Sequence, residues 1–234
     1  INNSNDIKFS FGGPLLGEKI TFFTNIRSQD NKGHLNGYRL FSVNDISNFY
    51  SDDSLEWYSE KTGDNSYVPM NTGKNLSVLG KISLNLFKGI RISLLHSYSD
   101  DSWFGYDHGF KYNPDGRAGS YKETNYSAFQ LNHMISPKLF YELKLSVVDN
   151  NYGNYLFKDP LAQSQPFNDF DGSEYFVADG YIHDKYLDGY GPGFLTGGQS
   201  KNHEIRNTID QTGKVDLTLS LIHISEPTRL GMIS

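Results

Sequence analysis

Hydrophobic and polar residues alternate along residues 74–98 (KNLSVLGKISLNLFKGIRISLLHSY). Leu76, Val78, Gly80, Ile82, Leu84 and Leu86 fall on one side of an extended chain. Ser77, Leu79, Lys81, Ser83 and Asn85 fall on the other. A strand turns successive side chains to opposite faces, so this period predicts one apolar and one mostly polar face. After the short turn Phe87-Lys88-Gly89 the alternation resumes, with Ile90, Ile92 and Leu94 set against Arg91, Ser93 and Ser97. Leu79 and Leu95 break the rule. Each arm has about ten residues or more, the length with which a tilted strand crosses the hydrocarbon of a bilayer. An amphipathic hairpin on a soluble sandwich has the same pattern, so the rest of the chain has to separate the two.

The pattern repeats on both sides. Residues 6–11 (DIKFSF) alternate and are expected to stop at Gly12-Gly13-Pro14, because proline cannot donate to a ladder and glycine breaks strand regularity. Residues 19–27 (KITFFTNIR) alternate again, which makes a second hairpin. A polar stretch, 28–73, follows with brief strand-like pieces such as 37–43. Beyond the central hairpin, residues 99–123 are polar and contain the turn signal Asn113-Pro114-Asp115-Gly116. A third hairpin spans 124–148 with its turn at Ser136-Pro137-Lys138. Its second arm sets Leu139, Tyr141, Leu143, Leu145 and Val147 against Glu142, Lys144 and Ser146. A long loop over 149–207 leads to a last alternating stretch, 208–218.

The connections therefore run short, long, short, long, short, long. Long structureless loops are uncommon in compact soluble domains. Regular asymmetry between tight turns and long loops is the pattern of outer-membrane barrels. The predicted fold is all-β: a curved antiparallel meander of about seven strands, part of a transmembrane β-barrel with periplasmic turns and extracellular loops. Phe22, Phe87 and Tyr141 lie near the short-turn ends, and Tyr98, Trp103, Phe104, Tyr152 and Tyr155 near the long-loop ends. Two aromatic girdles are expected at the interfaces. Lys81, Arg91, Glu142 and Lys144 on the polar faces would line a wet lumen.

Composition narrows the function classes. No apolar run is long enough for a membrane helix, and a mean hydropathy of -0.54 leaves a barrel open because barrel strands alternate. Cysteine is absent, which excludes disulfides and thiolate metal sites. A net charge of -6 disfavours nucleic acid as a partner. Tyrosine and phenylalanine, at 16 each, suit strands and membrane interfaces.

FGGPLLGEKITFFTNIR (11–27) resembles the first barrel hairpin of TonB-dependent outer-membrane receptors, of the Bacteroidota type with a carboxypeptidase-regulatory-like N-terminal domain. GYRLFS (37–42), EWYSEKTGDNSYVPMN (56–71), DHGFKYNPDG (107–116), SPKLFYELKLS (136–146) and YLFKDP (155–160) resemble the same family's early barrel and loops. The resemblance implies a barrel of about 22 strands around a plug. Such a protein sits in the outer membrane of a Gram-negative bacterium. It imports a scarce nutrient (siderophore, glycan, peptide or vitamin) with energy from TonB, in some cases with a partner surface lipoprotein. The resemblance also implies that the plug and TonB contact precede Ile1. The alternative reading is a secreted β-rich glycan-binding module or glycoside hydrolase. Residues 219–234 (LSLIHISEPTRLGMIS) resemble a translated transposase sequencing adapter, in which LSLIHISEPTR reads in frame. On that reading 1–218 is the N-terminal part of the barrel, 219–234 is a non-native tail, and the source is a metagenomic read cut short.

Catalytic and metal motifs are few. Asp52-Asp53 and Asp100-Asp101 are sequence neighbours, whereas catalytic carboxylate pairs need set separations across a substrate. Residues 168–172 (NDFDG) lack the ligand spacing and terminal glutamate of an EF-hand, and a turn is the expectation there. Residues 189–193 (GYGPG) have no strand–turn–helix context for a nucleotide. The histidines show no HExxH spacing, and neither a nucleophile elbow nor a phosphate loop is present. No enzyme, cofactor or metal is therefore expected. The candidate ligand residues are the loop aromatics Trp57, Tyr58, Trp103, Tyr106, Tyr181, Tyr186 and Tyr190, whose rings suit a sugar or chelate. Packing of the loops on one another is the competing role for the same rings.

Overall fold

The computed structural model describes residues 4–43, 45, 47–48, 51–158, 193–200 and 202–219. Its strands are β1 (Ser4–Leu16), β2 (Ile20–Asn31), β3 (Asn36–Tyr38), β4 (Ser47–Asn48), β5 (Tyr58–Ser59), β6 (Tyr67–Pro69) and β7 (Thr72–Phe87). Then follow β8 (Ile90–Phe104), β9 (Gly119–Ser136), β10 (Leu139–Tyr155) and β11 (Glu204–Leu219). The long strands form one antiparallel sheet in the order β1-β2-β7-β8-β9-β10-β11, open at β1 and β11 rather than closed as a barrel. The short ones pair as β3 with β6 and β4 with β5. Among the described residues helical structure is limited to two 3-10 turns, and no helix is long and apolar enough to cross a membrane. The latter says nothing of a β-barrel.

The predicted hairpins form, with tight turns at Gly17-Glu18-Lys19, Lys88-Gly89 and Pro137-Lys138. All three lie at one end of the sheet, and the long connections at the other. Gly89 takes φ 90°, a region that side chains disfavour. A Cβ there would stand 2.8 Å from the Met134 carbonyl oxygen. The same turn accepts a hydrogen bond at its Gly89 carbonyl from the Met134 N–H at 2.8 Å. Gly89→Ala is expected to cost about 1–2 kcal/mol, read as a lower urea midpoint.

Two expectations about strand ends are corrected. Gly12-Gly13-Pro14 does not stop β1, which continues to Leu16 with Pro14 opposite Thr21. β1 is an edge strand, where a missing N–H is tolerated. The polar stretches also begin later than the alternation predicts: β2 runs to Asn31, β8 to Phe104 and β10 to Tyr155. Polar cross-strand partners hold these extensions together. Ser4 donates to Asn31 at 3.1 Å, Thr124 to Asn150 at 2.8 Å, and Asn207 to Asp149 at 2.7 Å. The piece at 37–43 is strand only at its start, within β3. Leu219 closes β11 opposite Leu139, and 220–234 lie outside the described residues.

The register assembles transverse rows from all seven long strands. One row reads Leu16, Ile20, Leu84, Ile92, Leu131, Leu143, Val215. One position further, on the opposite face, the row reads Pro14, Thr21, Ser83, Ser93, Gln130, Lys144, Lys214. A position beyond that, back on the first face, it reads Gly13, Phe22, Ile82, Leu94, Phe129, Leu145, Gly213. Across these three rows the strands are thus apolar on one face and polar on the other, and the next row on the apolar face mixes Phe11 and Val147 with Thr24, His96, Ser127 and Gln211. Apolar residues interrupt the polar face, among them Phe23, Leu79, Leu95 and Val148, with Leu95 standing between Lys81 and Ala128.

Exposure runs opposite to a water-soluble sheet. Ile82, Leu94 and Leu145 are 43%, 47% and 47% exposed, whereas Ser83 and Ser93 are 4% and 6% exposed and share a hydrogen bond at 3.2 Å. Buried polar groups beside a broad exposed apolar surface are the informative departure from the usual arrangement.

Candidate functional site

Burial of apolar side chains is concentrated away from the sheet. Phe41, Val43, Met70 and Leu195, the buried hydrophobic residues among those described, all belong to the long connections. Backbone hydrogen bonds tie the described parts of the three long connections together: Tyr38 N to Lys111 O, Leu195 N to Gly109 O and Gly198 N to Val43 O at 2.8 Å each, and Ser200 N to Gly116 O at 2.6 Å. They make a cap at the long-loop end. Met70 is fully buried, and a Cβ on Gly37 would stand 2.5 Å from its sulfur, so the backbone there approaches as only glycine permits.

Polar groups lock the cap. Arg117 donates to the carbonyl oxygens of Pro114, Met70 and Gly105, at 3.1 Å for the first and 2.6 Å for the second. Burial pulls its guanidinium down from the ordinary value, opposed by Asp107 and Asp115. Arg39 bridges Asp115 and Asp64 at 2.5 and 2.9 Å, and its hydrogen bond to Asp115 holds the guanidinium above the ordinary value. Asp45, 1% exposed, accepts from Ser42 N, Thr62 N and the Thr62 hydroxyl. Asn113 Nδ2 donates to Gly198 O at 2.8 Å. The turn expected at 113–116 is a 3-10 turn, Pro114–Gly116.

The candidate aromatics divide into three groups. Trp57 directly precedes β5 and Tyr58 is its first residue, and Trp57 Nε1 donates to Ser51 O at 2.8 Å. Trp103 and Tyr106 come together in a cavity of about 370 Å³ under the cap. Tyr181, Tyr186 and Tyr190 lie outside the described residues, as does the stretch at 168–172. Of 189–193, only Gly193 is described.

Trp103, Ser120 and Asn154 are cross-strand neighbours on the polar face of β8, β9 and β10 and form the floor of this cavity. Tyr106, Asp107 and Arg117 close it from one connection, and Ser200 and Asn202 from another. A second hollow of about 270 Å³ adjoins it, with Trp103 common to both and Gln29, Asn31, Asn75 and Asp101 along its walls. Trp103 stands 6.3 Å from Tyr152 by ring centroids, and the Arg206 guanidinium lies over Tyr152.

This geometry revises the expected girdle. Register places Tyr98, Phe104 and Tyr155 on the apolar face but Trp103 and Tyr152 on the polar one. On the apolar side Tyr121 stacks on Tyr155 at 4.7 Å and meets Phe104 edge-on at 6.1 Å. At the other end Phe22 and Tyr141 share the apolar face, while Phe87 follows the register shift at the end of β7 and is 76% exposed.

The paired aspartates do not form sites. Asp100 and Asp101 point to opposite faces of β8, and Asp101 accepts from Asn75. Asp53 caps the turn Ser54–Glu56 by accepting from Leu55 N at 2.9 Å. Among the described residues no cluster of three or more metal-binding side chains occurs. Sequence reasoning missed Ser120 and Asn154 because it ended the strands at Thr124 and Val148, and Asn202 because it lies in the long loop before β11. Carrying the alternation further would have reached the first two. Nothing in the sequence marked Arg117.

Comparison with family models, with curated proteins and with solved structures gave no match.

Proposed function

We propose that this chain is an early barrel segment of a TonB-dependent outer-membrane receptor: an importer of a scarce nutrient rather than an enzyme, lying in a Gram-negative outer membrane. Its apolar face meets lipid and its polar face the lumen. Energy comes from TonB through a plug domain elsewhere in the protein, and a surface lipoprotein is a partner in the versions of this machine that carry one.

One observation carries the reading. Two adjacent rows on the same face, spanning all seven long strands, are free of charge and hold no buried residue, while the row between them on the other face holds serines, a glutamine and two lysines. On β8 that side carries Ile90, Ile92, Leu94 and Tyr98, with His96 between the last two. At about 3.3 Å per residue and a tilt of roughly 40° the stretch from Ile90 to Tyr98 stands roughly 20 Å tall, near the lipid-facing band of outer-membrane barrels. A secreted sandwich or hydrolase needs a second layer over those rows. Among the described residues the rows stay open, with Leu145 47% and Val215 68% exposed.

The test is the solvent the full chain needs. In buffer it is expected to aggregate, since an open sheet has raw edges and a bare apolar face. In detergent micelles or liposomes it is expected to take up β structure, with the sheet protected from protease and the cap cleavable from outside. A soluble, cooperatively folding monomer without detergent would overturn the proposal.

A further inference from the structure

We infer that the paired hollows at Trp103 form a binding site for a neutral oligosaccharide, seated on the polar face under the cap. The inference rests on the receptor reading and names the class of cargo. A pyranose ring presents a flat C–H face, which an indole matches, and a rim of vicinal hydroxyls, which amides match by donating and accepting at once. Trp103 is 40% exposed and borders both hollows, so two consecutive sugar units would straddle it. Each hollow is amide-rich: Asn154 and Asn202 on one side, Gln29, Asn31 and Asn75 on the other. Part of this capacity is unspent. Asn154 Nδ2 donates to Ser120 at 2.9 Å, while its Oδ1 has no hydrogen-bond partner among the described residues. Asn31 Oδ1 accepts from Ser4 and Gly33, while its Nδ2 has none there.

Charge argues against an anionic chelate as the occupant. The lining carries the carboxylates of Asp107 and Asp101 against one lysine, Lys74, and the guanidinium of Arg117 is committed to carbonyl oxygens of the cap. A ferric chelate bearing net negative charge would find no uncommitted arginine here, and arginine is what bidentate carboxylate recognition favours. A cavity of about 370 Å³ falls within the usual range for small-molecule sites.

The chain holds two tryptophans, so Trp57→Phe leaves Trp103 as the sole indole reporter. The full chain carrying that change, folded in detergent micelles and checked by circular dichroism, would be titrated with maltohexaose, cellohexaose, laminarihexaose and mannohexaose, and separately with ferric citrate. A saturable change in Trp103 emission is expected with at least one of the sugars and none with ferric citrate. Asn154→Ala in the same background is expected to weaken the sugar about tenfold, the loss of one well-made hydrogen bond. Trp103→Ala, followed by calorimetry, is expected to abolish binding. If the folded chain answers none of the four sugars, if it answers ferric citrate, or if sugar binding survives Trp103→Ala, the sugar site is refuted while the barrel reading stands. A chain that stays soluble and folded without detergent removes both.

Discussion

Leu145→Arg is expected to lower the stability of the bilayer-folded chain by about 2–4 kcal/mol, whereas Ser146→Arg at the next residue is expected to change it by under about 1 kcal/mol. The two positions share a depth and differ only in face. Leu145 lies in an uncharged row between Phe129 and Gly213. Ser146 lies between Ala128 and Thr212, in a row with Phe23, Lys81 and Leu95. That stretch of sheet borders a trough of about 940 Å³, which leaves room for a longer side chain. A guanidinium set against lipid tails loses its hydration without gaining a partner, and one facing a wet lumen keeps it. Urea unfolding from liposomes measures both. A soluble sheet predicts the reverse order, because Leu145 is half exposed and an arginine there would be solvated. Equal small effects at both sites would sink the lipid-facing assignment.

Arg117→Ala is expected to cost the cap about 3 kcal/mol. The side chain is 7% exposed and satisfies carbonyl groups from three places in the sequence: Met70, Gly105 and Pro114. Deleting it leaves buried acceptors without donors, and hydrogen bonds to a charged group are the stronger kind. Lysine keeps the charge but not the planar fork, so Arg117→Lys is expected to recover less than half of the loss. Hydrogen exchange at Met70, whose N–H donates to Leu35 O at 2.8 Å, reads the opening locally. Exchange there is expected to accelerate by about a hundredfold, and the amides of β8 to stay protected. Unchanged exchange at Met70 would show that the cap does not depend on this residue.

The register of this sheet was legible in the chain because a period of two leaves little choice. Once Ile82 and Leu94 must share a face with Phe22 and Leu145, slipping a strand by one residue would expose lysines and bury leucines in its place. The turns at Lys88-Gly89 and Pro137-Lys138 were legible for a similar reason, since their residues punctuate the alternation. Extensions of β2, β8 and β10 were not. In residues 28–31, 99–104 and 149–155 the apolar half of the alternation fades, and pairing there is sustained by ladder bonds and contacts such as Asn207 with Asp149, which join residues far apart in the chain. The Gly-Gly-Pro stop failed because its effect depends on whether a neighbour needs the missing N–H, and β1 has a neighbour on one side only.

Trp103 illustrates the same division. Its identity as a ring near the long-loop end could be read directly, but its face could not, because that requires knowing that β8 continues unbroken from Ile90 to Phe104. By itself the sequence determined the hairpins, their turns and the separation of apolar from polar faces, since these follow from local periodicity. Tertiary structure alone decided how far the strands run, which rings meet across the polar face, and that three loops share a core around Met70 and Arg117. Those outcomes depend on pairings between residues tens of positions apart, and short-range alternation carries no information about them.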